Sequence, residues 1–138
     1  MRPTRLLAAA ALFAAAFALA ACTGAKDAEL AQIAAPAAGD VYAAELSAFS
    51  GYGFTDDAGE TIEPAYGLLK VIAVDGRDVV VVTGNSAVRD PSTSRQALRG
   101  DLAAVVFDDS EEIPLSGAQL REAYDAGKIY AVRRPAAP

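Results

Sequence analysis

Tyr66-Gly67-Leu68-Leu69-Lys70-Val71-Ile72-Ala73-Val74, Asp75-Gly76-Arg77-Asp78 and Val79-Val80-Val81-Val82-Thr83 follow one another without a gap, and together they decide the fold. Two β-branched runs flank a short turn that contains glycine. That is the pattern of a β-hairpin, and hairpins pair antiparallel. The second run does not alternate, so both of its faces are expected to be covered and the strand to lie centrally.

Upstream, Asp40–Phe49 sets Tyr42, Ala44, Leu46 and Ala48 against Val41, Ala43, Glu45 and Ser47. A period of two predicts a strand with one cleaner apolar face. Ser50–Pro64, with three glycines, several acidic residues and a proline, reads as a long loop. Downstream, Asp90-Pro91 is suited to start a short helix, with Asp90 as cap and Gly100 as stop. Leu102–Phe107 is expected as a further strand, closed by a turn at Asp108-Asp109-Ser110. Ser116–Gly127 has the strongest helix signal. Ser116 and Gln119 match a capping box, Leu115 and Leu120 a hydrophobic staple, and Leu120, Ala123 and Tyr124 share a face. Lys128–Arg133 is the last expected strand. The expectation is a small α+β domain: an antiparallel sheet or half-open barrel of about five strands, with one good helix in the C-terminal half.

The amino-terminal end carries a different message. Arg2 and Arg5 precede sixteen apolar residues, Leu6–Ala21, and Leu19-Ala20-Ala21-Cys22 holds the only cysteine. A positive start, an apolar middle and a small-residue end make an export signal. The run is short and alanine-rich for a membrane span, which takes about 20 apolar residues. The tetrapeptide resembles the lipobox of bacterial lipoproteins. That resemblance implies cleavage before Cys22, diacylglycerol on its sulfur and a further acyl group, such as palmitate, on the new amino terminus. It also implies a cell-envelope protein held by its lipid. Thr23, not aspartate, after the cysteine implies the outer membrane, with the domain facing the periplasm. The expected organisation is signal peptide 1–21, lipidated Cys22 and tether 22–39, one domain 40–134 and a tail 135–138. A short helix over Asp27–Ala34, stopped by Pro36, is expected within the tether.

Loss of residues 1–21 from the 138 leaves 117, enough for one domain. Arg2 and Arg5 go with them, so ten basic residues face 18 acidic ones, a charge of −8. That balance opposes nucleic-acid binding and adhesion to anionic lipid, and suits solubility or a basic partner. Histidine is absent, which removes Ser-His-Asp and Cys-His catalysis. With one cysteine, expected to be acylated, and no histidine, zinc ligation is not expected either.

The acidic residues offer candidate sites. Asp56, Asp57, Glu60 and Glu63 lie on one loop, but their spacing does not match an EF-hand, so no metal is assigned. Asp108-Asp109-Ser110-Glu111-Glu112 reads as a charged turn or a docking patch. No carboxylate pair is marked out for glycoside hydrolysis, which leaves a peptidoglycan hydrolase as the weakest alternative. Gly51-Tyr52-Gly53-Phe54 lacks the third glycine and the βαβ setting of a nucleotide loop. Its aromatics next to glycines either fold back over the barrel or, as in recognition loops, anchor a partner.

Gly39-Asp40-Val41-Tyr42, Tyr66–Val71 and Glu112-Ile113-Pro114-Leu115-Ser116 resemble segments of small bacterial β-rich domains, including some immunity proteins of toxin systems; the acidic stretch Ser50–Pro64 departs from them. The resemblance implies a related build and, as an alternative role, an inhibitor or immunity lipoprotein for a periplasmic hydrolase. The leading expectation is a non-catalytic domain, without cofactor, that binds a protein or an envelope polymer. The candidate contact residues are Tyr52, Phe54, Asp56, Asp57, Asp108 and Asp109.

Overall fold

The computed structural model describes residues 24–136; the signal segment and Cys22 lie outside the described residues. Residues 24–34 are helical (α1), and the compact unit begins within this helix, at Gln32. Then come β1 (Val41–Glu45), a 3-10 turn (Leu46–Ala48), β2 (Tyr66–Asp75), β3 (Asp78–Gly84), α2 (Pro91–Arg99), a second 3-10 turn (Leu102–Ala104), β4 (Phe107–Leu115), α3 (Gly117–Asp125) and β5 (Ile129–Arg133). The five strands form one antiparallel sheet in the order β4-β3-β2-β1-β5. The sheet is open, so the fold is α+β and not a closed barrel.

The hairpin forms where the sequence placed it. Asp75 pairs with Asp78, leaving Gly76 and Arg77 as the turn. Gly76 has φ +63°, the left-handed value that a first turn residue of type II′ needs and that glycine adopts without penalty. β2 is the middle strand, and β3 lies between it and β4.

Both faces of the sheet are covered, which explains why β1 shows no polar face. Tyr42, Ala44, Leu69, Val71, Val79 and Val81 pack on one side with Ile33, Ile113, Leu120 and Ile129. Val41, Ala43 and Leu68 pack on the other with Leu98 of α2, backed by Leu102, Val105 and Phe107. Ile33 is buried, so the last turn of α1 belongs to the core rather than to a bare tether. A lone isoleucine in an alanine-rich stretch carries too little periodicity to announce this.

Helix ends follow local chemistry. The Asp90 carboxylate accepts from the Ser92 amide at 2.9 Å, with Pro91 in the first turn of α2. The Ser116 hydroxyl accepts from the Gln119 amide at 3.1 Å, and the Gln119 side chain accepts from the Ser116 amide at 2.8 Å. This is the complete capping box.

One stretch departs from expectation. Of the expected strand Leu102–Phe107, only Phe107 lies in a strand. Asp101 accepts the Ala103 amide at 3.1 Å and starts a 3-10 turn. Leu102 and Val105, three apart, then both turn toward the apolar layer. The strand in this region is the next segment, β4 (Phe107–Leu115), which runs through the acidic residues read as a turn. It is an edge strand, so its charges meet water instead of a second strand, and neither alternation nor β propensity is needed.

The end of β5 is clasped to the start of β1. Asp40, fully buried, receives Arg134 Nε at 2.8 Å and Nη2 at 2.9 Å, and the Ala37 amide at 2.9 Å. Arg134 also donates to the Ala35 carbonyl at 2.8 Å. Beside this clasp lies Tyr42, whose hydroxyl has no partner among the described residues. Burial first, and then the Asp40 charge, push this phenol well above its ordinary pKa, so it stays neutral. Arg134→Ala leaves the Asp40 carboxylate buried and unpaired. We expect a loss of about 3 kcal/mol in denaturant unfolding, the low end for breaking a buried pair because Arg134 is itself partly exposed.

Candidate functional site

The loop between β1 and β2 is built from the inside. Leu46 donates its amide to the Ala65 carbonyl at 2.7 Å, closing the base. Ile62 is buried and donates to the Phe54 carbonyl at 2.8 Å. Thr55 and Thr61 form a single bridge across the loop. At the tip, Asp56 accepts the amides of Glu60 at 2.9 Å and Ala58 at 3.0 Å, and pairs with Arg89 at 2.9 Å. The Glu60 amide first, and then the Arg89 guanidinium, hold its carboxyl below the usual range. Asp56 is thus the fastener of its own loop.

The second piece of the site is a wide bulge in β4. Thr83 pairs with Asp108 and Val81 with Ile113. Residues 109–112 therefore stand opposite the single Val82. Bulges re-aim side chains at sheet edges, and here the re-aimed side chain is Glu111. One Glu111 oxygen accepts the Ser50 hydroxyl at 2.5 Å, and the other accepts the Gly51 amide at 3.0 Å. The Ser50 oxygen in turn accepts the Tyr52 amide at 3.0 Å. Segments 60 residues apart in sequence are joined through one carboxylate.

The joint encloses a cleft of about 320 Å³ lined by Tyr52, Phe54, Thr83, Asn85, Asp108 and Glu111, among others. Tyr52 is 68% exposed at its rim. Phe54 is half-buried and packs on the core below. Asp108 is held below the ordinary carboxylate range by Ser110, through its side chain and its amide, the latter at 2.9 Å. Thr83 is 5% exposed, and its hydroxyl has no hydrogen-bond partner among the described residues.

Gly84 and Asn85 also line a second, more apolar groove of about 450 Å³, walled by Leu68, Ala97, Val105 and Val106. Val106 is 63% exposed there, and its carbonyl accepts the Asn85 amide at 2.9 Å. Gly67 lies beneath this groove. A Cβ there would stand 2.6 Å from Leu46 Cδ1 and 3.1 Å from the Ser86 carbonyl.

Of the residues singled out in the sequence, the structure thus gathers Tyr52, Phe54 and Asp108 in one cleft. Asp56 is engaged within its loop, and Asp57 and Asp109 face solvent outside the cleft. Thr83 and Asn85 were not anticipated. The Gly84-Asn85-Ser86 turn signal at the end of the valine run was their only trace in the sequence. Among the described residues no three acidic or cysteine side chains converge as a metal site, and no helix is long and apolar enough to cross a membrane. No known family, curated protein or solved structure matches this chain.

A depressed carboxyl pKa contributes order above its own titration and loses it as pH falls through the folded value. The Ala58 and Glu60 amide resonances should therefore hold steady through the ordinary Asp range near about 3.9 and move only below it. Asp56→Asn should disturb both amides already at neutral pH. A midpoint for these amides at or above the ordinary value would refute the fastening role.

Proposed function

We propose that the chain is an envelope lipoprotein, held at the outer membrane by lipid on Cys22, with a non-catalytic domain that binds a macromolecular partner from the periplasm. The observation that carries the binding reading is the joint at Glu111. It sets an exposed tyrosine, an acidic wall and an apolar groove side by side on one end of the sheet. Anchoring aromatics in a polar rim are the usual makings of a protein-binding patch.

The acidic wall favours a basic partner and speeds its capture by charge complementarity. An inhibitor of a basic periplasmic hydrolase is the narrower form of this reading.

Two measurements test it. Cys22→Ser should move the protein from the membrane fraction to the soluble fraction, because stable anchoring needs the acyl chains. Tyr52→Ala should weaken capture of the partner from envelope extracts by about tenfold, as loss of about 1.4 kcal/mol does. Unchanged partitioning of Cys22→Ser defeats the anchor. Unchanged capture by both Tyr52→Ala and Val106→Asp defeats the binding surface.

A further inference from the structure

The cleft beside Tyr52 contains more polar capacity than the fold uses. Thr83 sits on a buried stretch of β3 with its hydroxyl unpaired among the described residues, although neighbouring strand positions carry valine. It lines the cleft together with Asn85, whose side-chain amide is likewise without a partner among the described residues, and with Asp108. Asp108 accepts the Ser110 amide at Oδ1 and is exposed. Thr83 lines the cleft, and among the described residues the enclosed hydroxyl without a partner is that of Tyr42, so the Thr83 hydroxyl is open to a ligand.

The kinds of atom on offer narrow the ligand. Thr83 Oγ1, the Asn85 carbonyl oxygen, the Asp108 carboxylate and the remaining lone pairs of Glu111 can all accept, and the exposed ring of Tyr52 borders them. A metal ion is poorly served. Hard cations take about 6–8 oxygens, and both Glu111 oxygens already accept hydrogen bonds. The hydroxyls of a neutral sugar can donate to these oxygens but leave both carboxylate charges uncancelled. A guanidinium cancels the charge, presents only donors in a planar fork, and stacks on an aromatic face. A cleft of about 320 Å³ is sized for one side chain rather than for a length of polymer.

We propose that this cleft seats a single arginine side chain of the partner protein, its guanidinium stacked on Tyr52 and bonded to Asp108, Thr83 and Asn85. The assignment rests on the binding reading above and names the chemistry of its partner. Glu111 is a positioning residue in it, holding the 50–52 segment and hence the ring.

The test uses the full isotope-labelled chain and Nα-acetyl-arginine amide as probe, with the citrulline analogue as its uncharged isostere and chitobiose as a sugar control. Arginine amide should shift the Asn85 side-chain and Ser110 backbone resonances with a Kd in the millimolar range, and citrulline and chitobiose should not. Asp108→Asn should weaken the arginine Kd at least fivefold, and Thr83→Val about threefold. The melting temperature of each variant is measured alongside, so that a folding defect is not read as lost recognition. Equal response to citrulline, a response to chitobiose instead, or no response to arginine overturns the assignment. Tyr52-dependent capture of a partner that arginine amide fails to compete for would sink the arginine pocket while leaving the binding surface standing. Loss of that capture dependence as well would remove both.

Discussion

The structure turns on a buried carboxylate. Asp40 is fully enclosed, and its backbone marks the point where the chain enters the sheet: its amide donates to the Ala37 carbonyl and its carbonyl accepts from Val71. Enclosing a charge is costly unless the geometry of its partner is good. Arg134 supplies that geometry with two parallel bonds, and the Ala37 amide adds a third. One residue therefore sets where β1 begins, and β1 in turn sets the register of β2 on one side and β5 on the other. The same arginine reaches Ala35, so the incoming segment is bound to the end of the last strand. With no pair of cysteines in the chain, a charge-assisted clasp of the two ends does part of what a disulfide does elsewhere.

The open sheet leaves two edges to manage, and each is handled differently. On β5, Arg133 donates to the carbonyls of Leu98 and Gly100, which closes the C-terminal end of α2 onto the strand. On β4, the edge is broken by the wide bulge, by four carboxylates at 108, 109, 111 and 112, and by Pro114. Charges, proline and bulges are the means by which edge strands avoid pairing with other chains. The acidic run has that structural reason to exist whether or not a partner uses it. What the structural reason does not require is Glu111 turned back onto the loop, or a tyrosine left open beside it.

Elements whose residues obey local rules were legible in the sequence. The hairpin needed only β-branched runs around Gly76, and α2 and α3 announced themselves through Asp90-Pro91 and through the Ser116–Gln119 box. The misreading at 102–112 has one cause. Leu102, Val105 and Phe107 are apolar because they cap a layer, not because they alternate along a strand. The true strand looks like a turn because it is an edge. Position alone separates a charged edge strand from a charged turn, and position is set by the β3–β4 register, a long-range property. The site was legible to the same degree. Tyr52 and Asp108 stood out by residue type, whereas Thr83 was hidden because a β-branched residue after four valines looks like more strand. Its meaning depends on an unpaired hydroxyl that only the folded structure displays.

The joint at Glu111 also bears on how a small domain can present a recognition surface on a long loop. A loop that must be ordered at the moment of binding loses affinity to the entropy of fixing its backbone and side chains. Here the ordering is done in advance at both ends of the loop. Ile62 and Asp56 settle the distal half, and the relay from Glu111 through Ser50 to the Tyr52 amide settles the half that carries the exposed ring. Neither end relies on Tyr52 itself, so the ring is held in place without being consumed by the fold. A side chain that stays 68% exposed on a backbone tied down at three points is difficult to explain as a packing residue. It is what a preorganised contact residue requires.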